Sequence, residues 1–183
     1  MNKNIRNIAL SLFSIGMLSA CGGGGGSSND FDGTANARYN GTWSAGCVYD
    51  ADFQEADIYS ITIDGTKATI SFDSYPTSDC SGGASDNGEI VYALDFVGTQ
   101  DPSTGVCEVD DKVNTEIVSA KANGISLTRA QLEALTEDAI EVGGFPEFIL
   151  LCVNPDGDTL YAFDEASGDG TTEANRPTQI DID

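Results

Sequence analysis

The chain contains no histidine among its 183 residues. That absence removes Ser-His-Asp and Cys-His catalysis, histidine-based zinc sites and the usual general base. Basic residues are also scarce: 8 Lys and Arg stand against 30 Asp and Glu, a formal net charge of −22. Such a surface repels phosphate backbones and anionic head groups, which argues against nucleic-acid binding. Long apolar runs are missing too. The best candidate, Ile8–Ala20, covers 13 residues, whereas a membrane-spanning helix needs about 20. What remains for an enzyme is carboxylate chemistry of the glycosidase kind, which requires two facing acids that sequence spacing does not reveal. The expectation is a non-enzyme with no cofactor and no metal site.

The apolar run follows Lys3 and Arg6 and ends in Leu18-Ser19-Ala20-Cys21. A positive start, an apolar stretch and small residues before a cut make a secretory signal. An ordinary signal with a chance cysteine is the plainer alternative. With cysteine at the cut, the stretch resembles a bacterial lipoprotein signal, whose L-S-A-C box is cleaved before the cysteine. That resemblance implies removal of residues 1–20, a diacylglycerol thioether on Cys21 and an acylated amine. Two or more acyl chains anchor stably, at about 0.8 kcal/mol per buried methylene. Gly22 stands where the best-known systems use Asp for inner-membrane retention, so the resemblance implies the outer membrane. The face on which the domain lies, periplasmic or exterior, stays open.

Processing would leave 163 of the 183 residues, enough for one domain with a sizeable core. Lys3 and Arg6 depart with the signal and no acid does, so six cations face 30 acids, a mature side-chain net of −24. Solubility in a salty setting explains such a charge; attraction of divalent cations or of a cationic partner is the alternative. Residues 21–38 read as a tether. Gly22–Gly26 and then Ser27-Ser28-Asn29-Asp30 cannot bury a core, and such a coil spans about 20–25 Å. Residues 39–183 read as a single domain with an acidic tail. The acidic groups Asp50, Asp52, Glu55 and Asp57, then Asp156-Gly157-Asp158, then Asp164 to Glu173, do not match a calcium loop of the D-x-[DN]-x-[DN]-G type. They are expected as solvated turns, with calcium binding the alternative.

Besides Cys21, the chain has Cys47, Cys80, Cys107 and Cys152. An even number in an exported chain reads as disulfides. Three pairings exist for four cysteines; Cys47–Cys80 with Cys107–Cys152 is favoured because sequential pairing staples two local β units. A zinc site of four thiolates would want close C-x-x-C pairs, and none occur.

Period-two alternation dominates the rest. Tyr39–Tyr49 opens the domain. Tyr59, Ile61 and Ile63 alternate up to a turn at Asp64-Gly65, and Ala68, Ile70 and Phe72 alternate after it. Glu89–Val97 is apolar on both faces except for Asp95. Val106–Val109 and Thr115–Ala122 read as strands around a turn at Asp110-Asp111, and Asn123-Gly124 marks a hairpin. Phe148–Val153 and Thr159–Phe163 form another hairpin around Asn154-Pro155-Asp156-Gly157. Thr128–Ile140 breaks the pattern: Leu132, Leu135 and Ala139 fall at helical spacing, and Thr128 with Gln131 forms a capping-box pattern. Short strands with turn signals about every ten residues imply a sandwich or a barrel.

Gly41-Thr42-Trp43 at the head of this meander resembles the G-x-W start of lipocalin-like barrels. The stretch through Cys47, the Ile61–Phe72 hairpin, Tyr75, Cys80 and the late Arg176-Pro177-Thr178 resemble small bacterial lipoproteins with such domains. The resemblance implies an antiparallel up-and-down barrel, for which about eight strands can be counted; the short helix at Thr128–Ile140 departs from that pattern, and a β-sandwich is the alternative. It gives Trp43 a place at the closed end and Arg176 the role of its late basic partner. It also implies a cavity for a small apolar or amphipathic ligand. Read from the residues themselves, Tyr59, Tyr92 and the lone strand carboxylate Asp95 could line such a site, with core packing for the tyrosines and an outward face for Asp95 as the alternatives. A different class of function needs no ligand: a structural or interaction lipoprotein, with a filled core, that meets an envelope protein.

Overall fold

The computed structural model describes residues 18–20, 33–50, 54–128, 131, 147–163 and 167–181. Within them, nine strands occur: β1 (Leu18–Ala20), β2 (Gly41–Asp50), β3 (Glu55–Asp64), β4 (Lys67–Tyr75), β5 (Asp86–Gln100), β6 (Asp110–Ala122), β7 (Ile125–Ser126), β8 (Phe148–Val153) and β9 (Thr159–Ala162). Every pairing is antiparallel. The order β5-β4-β3-β2-β1-β9-β8-β6 returns to β5 through a β5–β6 pairing. Eight strands therefore form a ring, and β7 is a two-residue appendix on β6. The fold is an antiparallel β-barrel rather than a sandwich.

Alternation explains the ring locally. Buried and less buried residues alternate along β3 and β4, which points Tyr59, Ile61, Ile63, Ala68, Ile70 and Phe72 into one contiguous core. β5 adds Ile90, Tyr92, Leu94 and Phe96 to the same core, and β8 and β9 add Ile149, Leu151 and Leu160. Tight turns fix the register. Asn123 and Gly124 both have positive φ, 50° and 74°, the pairing that an Asn-Gly hairpin turn requires.

Both disulfides of the sequential pairing are present. Cys47–Cys80 spans a Cα separation of 5.8 Å and Cys107–Cys152 one of 6.2 Å. The second ties the loop before β6 to β8 and sits in a small apolar cluster with Leu150 and Ile180.

Three expectations are corrected. Asp110-Asp111 is not a turn: both residues lie inside β6, buried at 0% and 3% exposure. Asp111 is compensated from far along the chain by Arg38, while Asp110 accepts the amide of nearby Ser103 at 2.8 Å. Val106–Val109 is not a strand but part of the bend that leads into β6. Finally, the domain starts before residue 39. The Thr34 amide donates to Asp95 Oδ1 at 2.8 Å and its carbonyl accepts the Phe96 amide at 3.0 Å, so Gly33–Asn36 runs along β5. The expected helix over Thr128–Ile140 lies outside the described residues apart from Thr128 and Gln131. There Thr128 and Gln131 form the reciprocal cap: the Gln131 amide donates to Thr128 Oγ1 at 3.4 Å and the Thr128 amide to Gln131 Oε1 at 2.9 Å.

Candidate functional site

A barrel of this size either fills its interior with side chains or holds one small ligand. Large side chains occupy the inward positions here. Trp43, Phe72, Tyr92 and Phe96 are all buried, at 2%, 3%, 0% and 8% exposure, and belong to one cluster with Tyr39, Tyr59 and aliphatic residues of β2 to β6, β8 and β9. The Phe72 ring lies against the backbone of β5 at Gly88. A Cβ there would come within 2.2 Å of the ring, so glycine is what lets the ring lie over its register partner on the neighbouring strand. Of the residues expected to line a cavity, Tyr59 and Tyr92 point inward as packed core. Asp95 does not. It alternates with inward Leu94 and Phe96, faces the outer side and accepts the Thr34 amide.

One end of the barrel is closed by the chain's own lead-in. Ala37–Tyr39 forms a 3-10 turn that drops Tyr39 across the opening. Its ring stacks on Phe96 with centroids 5.0 Å apart. Its hydroxyl donates to Asp111 Oδ2 at 2.6 Å and stands 2.9 Å from the Leu151 carbonyl oxygen. Arg38 and Asn36 donate to the same carboxylate. Burial pushes the Tyr39 phenol well above its usual range, Arg38 beside it opposes that, and Asp110 adds to it. Trp43 completes the plug: its indole N–H donates to the Tyr39 carbonyl at 3.1 Å. Gly41, two residues before it, opens β2 opposite Ile63.

Arg176 and Trp43 have different partners. The Arg176 guanidinium donates to the carbonyls of Val113 and Ile149, each at 2.8 Å, and to Asn114 Oδ1 at 2.5 Å. It also stands 5.2 Å from the centre of the Phe148 ring. Val113 and Ile149 point inward, so their neighbours Asn114 and Phe148 point outward. Arg176 therefore clamps the tail to the outside of β6 and β8. Its 9% exposure is tolerable because those acceptors satisfy it. The basic group beside the plug is Arg38, which sequence spacing alone did not single out.

The opposite rim is acidic. Asp57 is buried inside the rim, where the Tyr59 hydroxyl donates to it at 2.9 Å and the Ser74 hydroxyl donates to its other oxygen. Glu55 is pushed above the usual carboxylate range, first by desolvation and then by the charges of Asp57 and Asp86. Among the described residues, no three His, Cys, Asp or Glu side chains converge to hold a metal ion. Asp156 and Asp158 sit in the exposed β8–β9 turn, where Asn154 and Thr159 hold the Asp158 carboxyl below its usual range. Cys21, the expected lipid site, lies outside the described residues. Searches with this chain found no matching family model, no curated protein and no solved structure that resembles it.

Proposed function

We propose that the chain is an exported bacterial lipoprotein, held at the outer membrane through Cys21, whose lipocalin-like barrel works as an interaction module of the cell envelope. The filled interior is the observation that carries this reading. Trp43, Tyr59, Phe72, Tyr92 and Phe96 use the volume that a carrier would reserve for its ligand, which moves recognition to the outer surface. The Leu18-Ser19-Ala20-Cys21 box and the glycine run after it support the anchor. The missing histidine supports a role in binding rather than catalysis.

A second reading, a small amphipathic ligand held in the barrel, draws on Asp57 with Tyr59 and Ser74. They form a polar group inside an otherwise apolar wall. Native mass spectrometry of the delipidated, refolded protein against a bacterial lipid extract separates the two. The expected result is the mass of the protein alone; a stoichiometric retained lipid mass overturns the filled-barrel reading. The anchor is tested separately. Cys21→Ala is expected to release the protein from the membrane fraction, and unchanged membrane attachment would sink the lipoprotein assignment.

A further inference from the structure

One joint of the ring differs from the others. β1 lies between β2 and β9, with Ser19 opposite Ser44, Ala20 opposite Trp43, Leu18 opposite Leu160 and Ser19 opposite Thr159. Without it, the run β2, β3, β4, β5, β6, β8, β9 has seven members, each antiparallel to the one before. An odd run leaves its first and last strands pointing the same way. β2 and β9 are therefore parallel, and an up-and-down ring closes only through an eighth strand antiparallel to both. That strand is Leu18–Ala20, the three residues that cleavage before Cys21 would take away.

We propose that the β2–β9 seam of the processed protein is a strand-accepting site, filled in trans by an extended segment of another polypeptide. The proposal rests on the lipoprotein reading above. The seam specifies the chemistry of its occupant. Two of its register positions face the core residues Trp43 and Leu160, and the position between them faces Ser44 and Thr159. An apolar–polar–apolar triplet fits, running antiparallel to both edges, with main-chain bonds giving affinity and the alternate side chains giving selectivity. Exposed Asp158 beside Thr159 and the net charge of −24 on the processed chain favour cationic flanks on that segment.

The glycine run that would follow the cut fits poorly. Five consecutive glycines follow Cys21, and glycine offers a strand neither side-chain packing nor a low entropy cost. The tail meets β9 at Ile180, opposite Phe163. A second copy does not serve either, since a β2-to-β2 contact leaves β9 open. An open seam leaves two rows of unpaired backbone groups, which sheets normally cover.

Hydrogen exchange on the lipidated protein, purified from bacterial membranes in detergent, tests this. Its intact mass is read first. An uncleaved 183-residue chain overturns the lipoprotein reading and this proposal together. With a processed, acylated mass, the seam-side amides between Thr42 and Ala45 and between Thr159 and Ala162 are expected to exchange about tenfold or more faster than those joining β3 to β4. A synthetic peptide of residues 14–20 is then expected to slow them. Seam amides already protected without peptide overturn the proposal alone, because the chain then closes its own barrel. Fast seam amides indifferent to millimolar peptide overturn it as well.

Discussion

Gly88 shows how little room the barrel interior leaves. Adding one methyl there forces the Phe72 ring, buried at 3% exposure, out of its place. Gly88→Ala is expected to destabilise by about 2 kcal/mol, the usual cost of overpacking a core. The cause is specific, so Phe72→Leu in the same chain should recover part of it. Urea denaturation of the two single variants and the double checks this; strictly additive losses would show that the ring is not the obstacle. Tyr39 carries a second test. Tyr39→Phe removes the hydroxyl from the Asp111 carboxylate and is expected to cost about 2 kcal/mol, the scale of a buried bond to a charged acceptor. The phenol's folded-state pKa is raised, so its contribution is complete below the unfolded value of about 10 and declines as pH rises beyond it. Wild-type stability should therefore fall between about pH 10 and 11 more steeply than that of Tyr39→Phe. Equal slopes would remove the burial of this phenol as the cause.

At the scale of elements, hairpins are readable from the sequence because their causes are local, and the disulfides because four cysteines in sequential pairs staple consecutive β units. Asn123-Gly124 makes its turn by its own backbone preference, and alternation alone orients Tyr59, Ile61 and Ile63. The misread stretches have partners far along the chain. Asp110-Asp111 looks like a turn until Arg38, 73 residues away, and Tyr39 reach Asp111. Gly33–Asn36 looks like linker until Asp95 captures it. Nor does the pattern of the tail reveal the clamp of Arg176 on the outside of β6 and β8. Arg176→Gln is expected to lose about 2 kcal/mol, since two backbone carbonyls and Asn114 lose a charged donor; a loss under about 0.5 kcal/mol by urea melt would mean the tail is held elsewhere. The two disulfides should also separate. Cys47 is exposed, whereas Cys107 and Cys152 are buried at 6% and 0% exposure. Mild reductant is expected to open Cys47–Cys80 first, because exchange needs access to sulfur. Alkylation followed by mass mapping reads which pair opens.

For the whole molecule, charge dominates. Thirty acids on a small barrel repel one another, and only two ion pairs occur among the described residues, Arg38–Asp111 and Lys121–Glu89. Salt screens that repulsion within about 10 Å at 0.1 M. The melting temperature is expected to rise by several degrees between about 0.02 and 0.5 M sodium chloride. A flat or falling response would mean that the acids are already compensated. The disulfide pairing has a consequence in time as well as in stability. The pairs follow one another along the chain without interleaving, joining residues 33 and 45 positions apart. A polypeptide that enters an oxidising compartment N-terminus first presents Cys47 and Cys80 before Cys107 arrives. Were the Cys21 sulfur occupied by lipid, as proposed above, Cys80 would meet Cys47, and Cys152 would meet Cys107, as the nearest free thiol. Order of arrival alone would then write the correct pairing, without reshuffling.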